Sequence, residues 1–152
     1  MTTVDHRKVF ERFAEAMDRH DWDSLDESVH ADVVAEYPQS GERFRGIENF
    51  RAQFVNYPDF DTAVSHLEEH IGGAQYALTP AYTLVAVDGS GNSGVAIVRA
   101  RYPDGSCWWA INFYELRDGL IARTRTFFAP DFDAPEWRAP FRDGDPVPPP
   151  EP

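Results

Sequence analysis

Between residues 66 and 70 the chain reads His66-Leu67-Glu68-Glu69-His70. Two histidines four apart with glutamate between them match a zinc-peptidase pattern, in which both imidazoles reach one metal from a single helix face. The surrounding residues are strand-like, and on a strand the two rings stand about 13 Å apart at roughly 3.3 Å per residue. No helical third-ligand motif follows, so the match is read as chance and no metal is expected. His66 alone keeps two readings. Facing a cavity it is the natural acid or base near neutral pH; facing water from an edge strand it has no such role.

A second group lies between Ser106 and Pro130, where two runs rich in aromatic and β-branched residues flank Asp118-Gly119. Asp-Gly there predicts a hairpin, because a two-residue type I′ turn needs positive φ at both central positions. Simple alternation sets Leu116 opposite Ile121, Tyr114 opposite Arg123 and Asn112 opposite Arg125. One face then carries Asn112 and Tyr114 with the two arginines. The other carries Trp109, Glu115, Thr124, Thr126 and Phe128. A bulge would exchange the faces beyond it, so which face lines a pocket stays open. Asn112 is a neutral donor able to hold a carbonyl or an enolate oxygen; the arginines also suit a cross-strand polar pair on a dimer-forming face. Glu115, close to the turn, reads as a surface residue. Cys107, the only cysteine, begins a strand and reads as a small hydrophobe.

The elements that must position these groups follow from periodicity. Val4 to Arg19 predicts an amphipathic helix, with Phe10, Phe13, Ala14 and Met17 on one stripe. A shorter helix is expected from Asp21 to about His30, then a strand from Val33 to Tyr37 closed by Pro38. Gln39 to Gly46 reads as a polar loop and Ile47 to Tyr57 as a third helix, stopped by Pro58. Strands follow near Ala63–Ile71, Gln75–Val87, Gly94–Tyr102, Ser106–Arg117 and Leu120–Ala129. His6, His20 and His30 fall at helix ends, as surface or capping residues. Asp131 to Phe141 is expected to pack back on the body. Arg142 to Pro152 reads as a flexible Pro-rich tail, leaving one domain over 1–141. Helices first and antiparallel strands after them make an α+β chain.

The 152 residues suffice for one packed core, and 11 Phe, 6 Tyr and 4 Trp suggest an aromatic interior. A net charge of −12 argues against nucleic acid or an anionic membrane as partner. The first residues lack an apolar signal core and no run has the length of a membrane helix, so a cytoplasmic protein is the expectation.

In order and spacing, several stretches resemble the SnoaL-like branch of the nuclear-transport-factor-2-like (NTF2-like) superfamily. They are V-F-E-R-F-A-E-A-M, H-D-W-D-S-L, H-A-D-V-V-A-E-Y-P, F-R-G-I-E-N-F, the hairpin N-F-Y-E-L-R-D-G-L-I-A-R-T-R-T-F-F-A-P and the trailing F-D-A-P-E-W-R-A-P-F. The resemblance spans about Val9 to Phe141. It implies a cone-shaped fold, with the N-terminal helices packed in a strongly curved antiparallel sheet, and a pocket between them. It places Tyr37 and Tyr57 near the mouth of the cone. Family enzymes use a carboxylate or histidine as proton acceptor with Tyr or Asn donors nearby. Here Thr126 and Ala129 stand where many relatives carry acids. Arg99 and Arg101 resemble positions of an Arg–Asp pair in epoxide hydrolases of the superfamily, without an Asp beside them.

The resulting expectation is a cofactor-free pocket protein for a small apolar molecule. As a cyclase- or isomerase-like enzyme it would move a proton on a carbonyl or polycyclic substrate. His66 would be the base, with Tyr37 and Asn112 as further catalytic residues. Tyr57, Trp109, Tyr114, Thr126, Phe128, Phe13 and Met17 would line the site. The alternatives are a non-catalytic binder of an apolar ligand and a dimeric scaffold; a homodimer through the sheet face is expected in any case.

Overall fold

The Phe10-Phe13-Met17 stripe forms helix α1, His6–Arg19. The Asp5 carboxylate accepts the Lys8 N–H at 3.2 Å as N-cap, and His20 closes the helix at φ 54°. These coordinates are a computed structural model that describes residues 3–56, 81–101 and 105–149. The expected strand Ala63–Ile71, and with it His66 and Tyr57, lies outside the described residues.

The second helix is shorter than expected. It is a 3-10 turn, Trp22–Glu27, capped by Asp21 and anchored by the buried Leu25. The chain then enters strand β1 at Val29 and leaves it at Tyr37, so His30 belongs to a strand and not to a helix end. Strand β2, Glu42–Arg45, occupies the segment read as a loop. Its alternation is Glu-Arg-Phe-Arg, and only backbone pairing with β1 makes it a strand. Helix α2 runs over Ile47–Val55.

Strands β3 (Ala81–Ser90), β4 (Ser93–Arg101), β5 (Cys107–Arg117) and β6 (Leu120–Pro130) complete a six-stranded sheet in the order β2-β1-β6-β5-β4-β3. Neighbours are antiparallel except β1 and β6, which run parallel. The expected antiparallel sheet is corrected in that pair. β1 and β6 meet through the whole intervening domain and not through a hairpin, so nothing forces their directions to alternate. Helix α1 lies against β3 and α2 against β1. One sheet face is therefore helix-covered; it holds Val33, Ala35, Ala96, Tyr114 and Leu116 in one core with Phe10, Phe13, Met17 and Phe50.

The hairpin turns at Asp118 (φ 55°) and Gly119 (φ 76°), and Leu116 faces Ile121 as expected. Beyond that rung Ala122 is one extra residue on β6: Glu115 pairs with Arg123, Tyr114 with Thr124 and Asn112 with Thr126. The expected partners Arg123 and Arg125 are thus wrong by one position, because a bulge flips every later side chain to the other face. Asn112, Tyr114, Thr124, Thr126 and Phe128 share the helix-covered face. Trp109, Phe113, Glu115, Arg123 and Arg125 share the open one. The segment after β6 also departs from expectation. A 3-10 turn forms at Glu136–Phe141, but Trp137 is 73% and Phe141 84% exposed, so it does not pack back on the body.

Candidate functional site

On the helix-covered face three hydrogen-bonded pairs and Thr124 stand among aromatic and aliphatic side chains. At the Tyr37 end of β1, the Tyr37 hydroxyl donates to Gln53 Oε1 of α2 at 2.6 Å. The Tyr37 ring touches Phe44 and Phe128, with centroids 5.6 and 5.7 Å away. Phe128 is fixed in turn. Gln39 accepts its N–H at 2.6 Å and donates to its carbonyl at 2.8 Å, continuing strand pairing with a side chain. Gln53 Nε2 is buried and has no hydrogen-bond partner. A buried unpaired amide donor costs of order 1–3 kcal/mol.

Deeper along the hairpin, Thr126 Oγ1 donates to Asn112 Oδ1 at 2.8 Å, and Asn112 Nδ2 donates to the Ala96 carbonyl at 3.2 Å. Both side chains are buried. Asn112 is therefore tied to two neighbouring strands. At the turn end, Tyr114 packs on Phe10 at 4.5 Å and its hydroxyl meets His6 Nδ1 at 2.7 Å. His6 Nε2 lies 3.1 Å from the Gly91 carbonyl. A carbonyl only accepts, so in the neutral ring Nε2 carries the proton and Nδ1 accepts from the phenol. Burial, reinforced by the charge of Asp88, raises the Tyr114 pKa above its ordinary value, so the phenol is a proton holder and not a base.

The sequence-predicted residues therefore separate. Tyr37, Asn112, Tyr114, Thr126 and Phe128 share the helix-covered face; Phe13 and Met17 are core residues of α1 beneath it. Trp109 lies on the open face and cannot line a pocket with Thr126 or Phe128. Gln53 and His6 were missed. Gln53 had a readable signal: it stands three residues after Phe50 and beside Phe54, inside the apolar stripe of α2. His6 had none, since its partner lies 108 positions away.

The open face carries charge. Arg99, 2% exposed, donates from its two terminal guanidinium nitrogens to Asp131 at 2.7 and 2.8 Å, and its guanidinium lies 4.5 Å from the Trp109 ring centre. An acid does accompany Arg99, supplied by the residue after β6 and invisible from β4 alone. It is on the side of the sheet away from the helices. The hydrogen bonds from Arg99 outweigh the opposing effect of burial and, with the Arg99 charge and a Trp109 hydrogen bond, hold the Asp131 carboxyl below its ordinary pKa. Glu36 is bonded by Arg43 at 3.0 Å and Arg123 at 3.1 Å. Burial alone would push its pKa up; the Arg123 and Arg43 contacts together win and lower it. Among the described residues no group of His, Cys, Asp or Glu is placed to hold a metal ion, and no helix is long and apolar enough to cross a membrane.

The family profile described as the SnoaL-like domain matches residues 10–124. The chain belongs to the SnoaL-like family. Its solved likenesses include proteins described as NTF2-like. One from Kribbella flavida, provisionally described as a ketosteroid isomerase, is 20% identical with a TM-score of 0.72, over 95% of this chain and 93% of that one. An NTF2-like protein of unknown function from Burkholderia xenovorans is 23% identical with a TM-score of 0.67, over 92% and 94%. A provisional polyketide cyclase from Sinorhizobium meliloti is 17% identical with a TM-score of 0.54, over 79% and 94%. At these identities the likeness is one of fold. No curated protein matches the sequence.

Proposed function

We propose that this SnoaL-like protein binds a small, mostly apolar molecule bearing an oxygen acceptor, without a cofactor, and acts in the cytoplasm. Gln53, held by Tyr37, takes that oxygen. The observation that carries the reading is the buried, unpartnered Gln53 Nε2 beside the Tyr37 hydroxyl. Fold likeness to proteins described as ketosteroid isomerase and polyketide cyclase extends it to chemistry: a base removes a proton next to the ligand carbonyl, the Gln53 amide donor stabilises the enolate oxygen, and the proton returns at another carbon. His66 is the residue assigned as base. The working unit is a homodimer joined through the open sheet face.

A second reading, a non-catalytic binder, is favoured by a specific observation. Among the described residues, the buried polar side chains on the helix-covered face of the strands are an amide and hydroxyls (Asn112, Thr124, Thr126 and Tyr114), and the buried Glu36 lies on the other side.

A thermal-shift scan of apolar ketones and polycyclic phenols tests both. Binders should lose at least about tenfold in affinity in Gln53→Leu. Affinity untouched by Gln53→Leu and by Tyr37→Phe overturns the site. Turnover abolished in His66→Ala with binding retained supports the enzyme; binding with no turnover in the unaltered protein supports the binder.

A further inference from the structure

Strand β6 runs on where β1 has ended. The last rung between them joins Glu36 to Arg125, and β1 stops at Tyr37, just before Pro38. Phe128 lies further along β6, and its N–H and C=O point to the vacated side. Left alone, both would be unpaired edge groups. One side chain takes the place of the missing strand. Gln39 Oε1 accepts the Phe128 N–H at 2.6 Å, and Gln39 Nε2 donates to the Phe128 carbonyl at 2.8 Å. An amide has one acceptor end and one donor end, the pair that a neighbouring backbone would have offered.

Gln39 is itself fixed. The Ser40 and Gly41 N–H groups both donate to the Tyr37 carbonyl, at 3.2 and 2.8 Å. Gly41 has a φ of 78°, which closes this tight turn without the strain a side chain would add. The turn thus ties the clamp to Tyr37. In turn the Tyr37 ring touches both Phe44 of β2 and Phe128 of β6, and its hydroxyl donates to Gln53 Oε1. Gln39 is exposed and Phe128 half-buried. The clamp therefore sits in water, while the contacts it controls lie further in.

We infer that Gln39 is a positioning residue. By gripping the Phe128 backbone it holds the Phe128 ring against Tyr37, and so sets the direction in which Gln53 presents its amide. This rests on the Gln53 site proposed above and adds to it the residue that aims it. Without the clamp the end of β6 is free to carry the Phe128 ring away from Tyr37. The Tyr37 hydroxyl then loses its fixed place, and Gln53 gains rotamers that binding must freeze out again. The site keeps its residues and loses preorganisation.

NMR spectra of the full chain read this directly. The Gln53 side-chain amide signals are identified by their loss in Gln53→Leu. In Gln39→Ala they should shift, and affinity for prodan, an apolar naphthyl ketone, should fall at least about fivefold, with an unchanged circular-dichroism spectrum. Gln39→Glu supplies the rescue. Its carboxylate accepts from the Phe128 N–H but repels the carbonyl; once protonated it again has a donor and an acceptor. Measured against the unaltered protein at each pH, Gln39→Glu should regain affinity as pH falls from about 7 toward the ordinary glutamate pKa of about 4.3, while Gln39→Ala stays flat. A side chain that only closes the seam between strands would follow no such profile. Should Gln39→Ala unfold the chain, Gln39→Glu at neutral pH takes its place. Unmoved Gln53 signals, unchanged affinity in Gln39→Ala, or no regain in Gln39→Glu, while Gln53→Leu still weakens prodan, overturns the positioning role alone. Prodan that does not bind, or binds Gln53→Leu as tightly as the unaltered protein, overturns the Gln53 site and this role with it.

Discussion

Thr126 Oγ1 donates to Asn112 Oδ1 at 2.8 Å across the β5–β6 ladder, and Asn112 passes the connection to the Ala96 carbonyl of β4. Three adjacent strands are joined by one side-chain relay in a buried layer. The relay exists only because Ala122 is bulged: without that extra residue Asn112 would stand opposite Arg125, and Thr126 would face away from the helices.

Asn112→Leu strands the Thr126 hydroxyl and the Ala96 carbonyl. The expected cost is about 2 kcal/mol, a fall in Tm of roughly 4–8 °C for a chain of this size. In a Thr126→Val background the same change should cost about 1 kcal/mol less, because one stranded group is already gone. Differential scanning calorimetry on the four proteins reads the coupling. Strict additivity would mean the relay contributes nothing as a unit.

Asp131 controls acid stability. Its folded pKa lies below the ordinary 3.8, so the unfolded chain takes up the proton first as pH falls. The stabilisation is complete above about pH 5 and drains away as pH drops through 3.8 and below. Asp131→Asn should make the urea midpoint fall less steeply between about pH 5 and pH 2. Glu36, whose pKa is lowered from 4.5 in the same sense, leaves a residual slope. At neutral pH Asp131→Ala removes the two charge-assisted hydrogen bonds that the carboxylate accepts from the buried Arg99, at a cost of about 1–3 kcal/mol. Equal acid profiles for Asp131→Asn and the unaltered protein would refute this assignment.

Gly89 makes room for the His6–Tyr114 bond. A Cβ there would sit 2.6 Å from His6 Nδ1 and 2.7 Å from the Tyr114 hydroxyl. Gly89→Ala should therefore destabilise by about 1–3 kcal/mol through overpacking. In a His6→Ala/Tyr114→Phe background the same substitution should cost less than about 0.5 kcal/mol, because the groups it strikes are gone. Chemical denaturation of the paired variants gives both numbers; equal penalties in the two backgrounds would show that the crowding is not the cause.

Much of this molecule is written in local pattern. The Phe10-Phe13-Met17 stripe made α1, Asp118-Gly119 made the turn, and the ordered family stretches placed the chain among SnoaL-like folds, because periodicity and turn chemistry act over a few residues. Tertiary structure decided the rest. A single bulge at Ala122, which no residue type announces, chose the face on which Asn112 and Thr126 lie. β2 became a strand only by borrowing β1's backbone. Gln53 reached Tyr37, His6 reached Tyr114 and Asp131 reached Arg99 across 16, 108 and 32 positions, distances over which sequence spacing carries no geometric information and only the folded sheet brings side chains together.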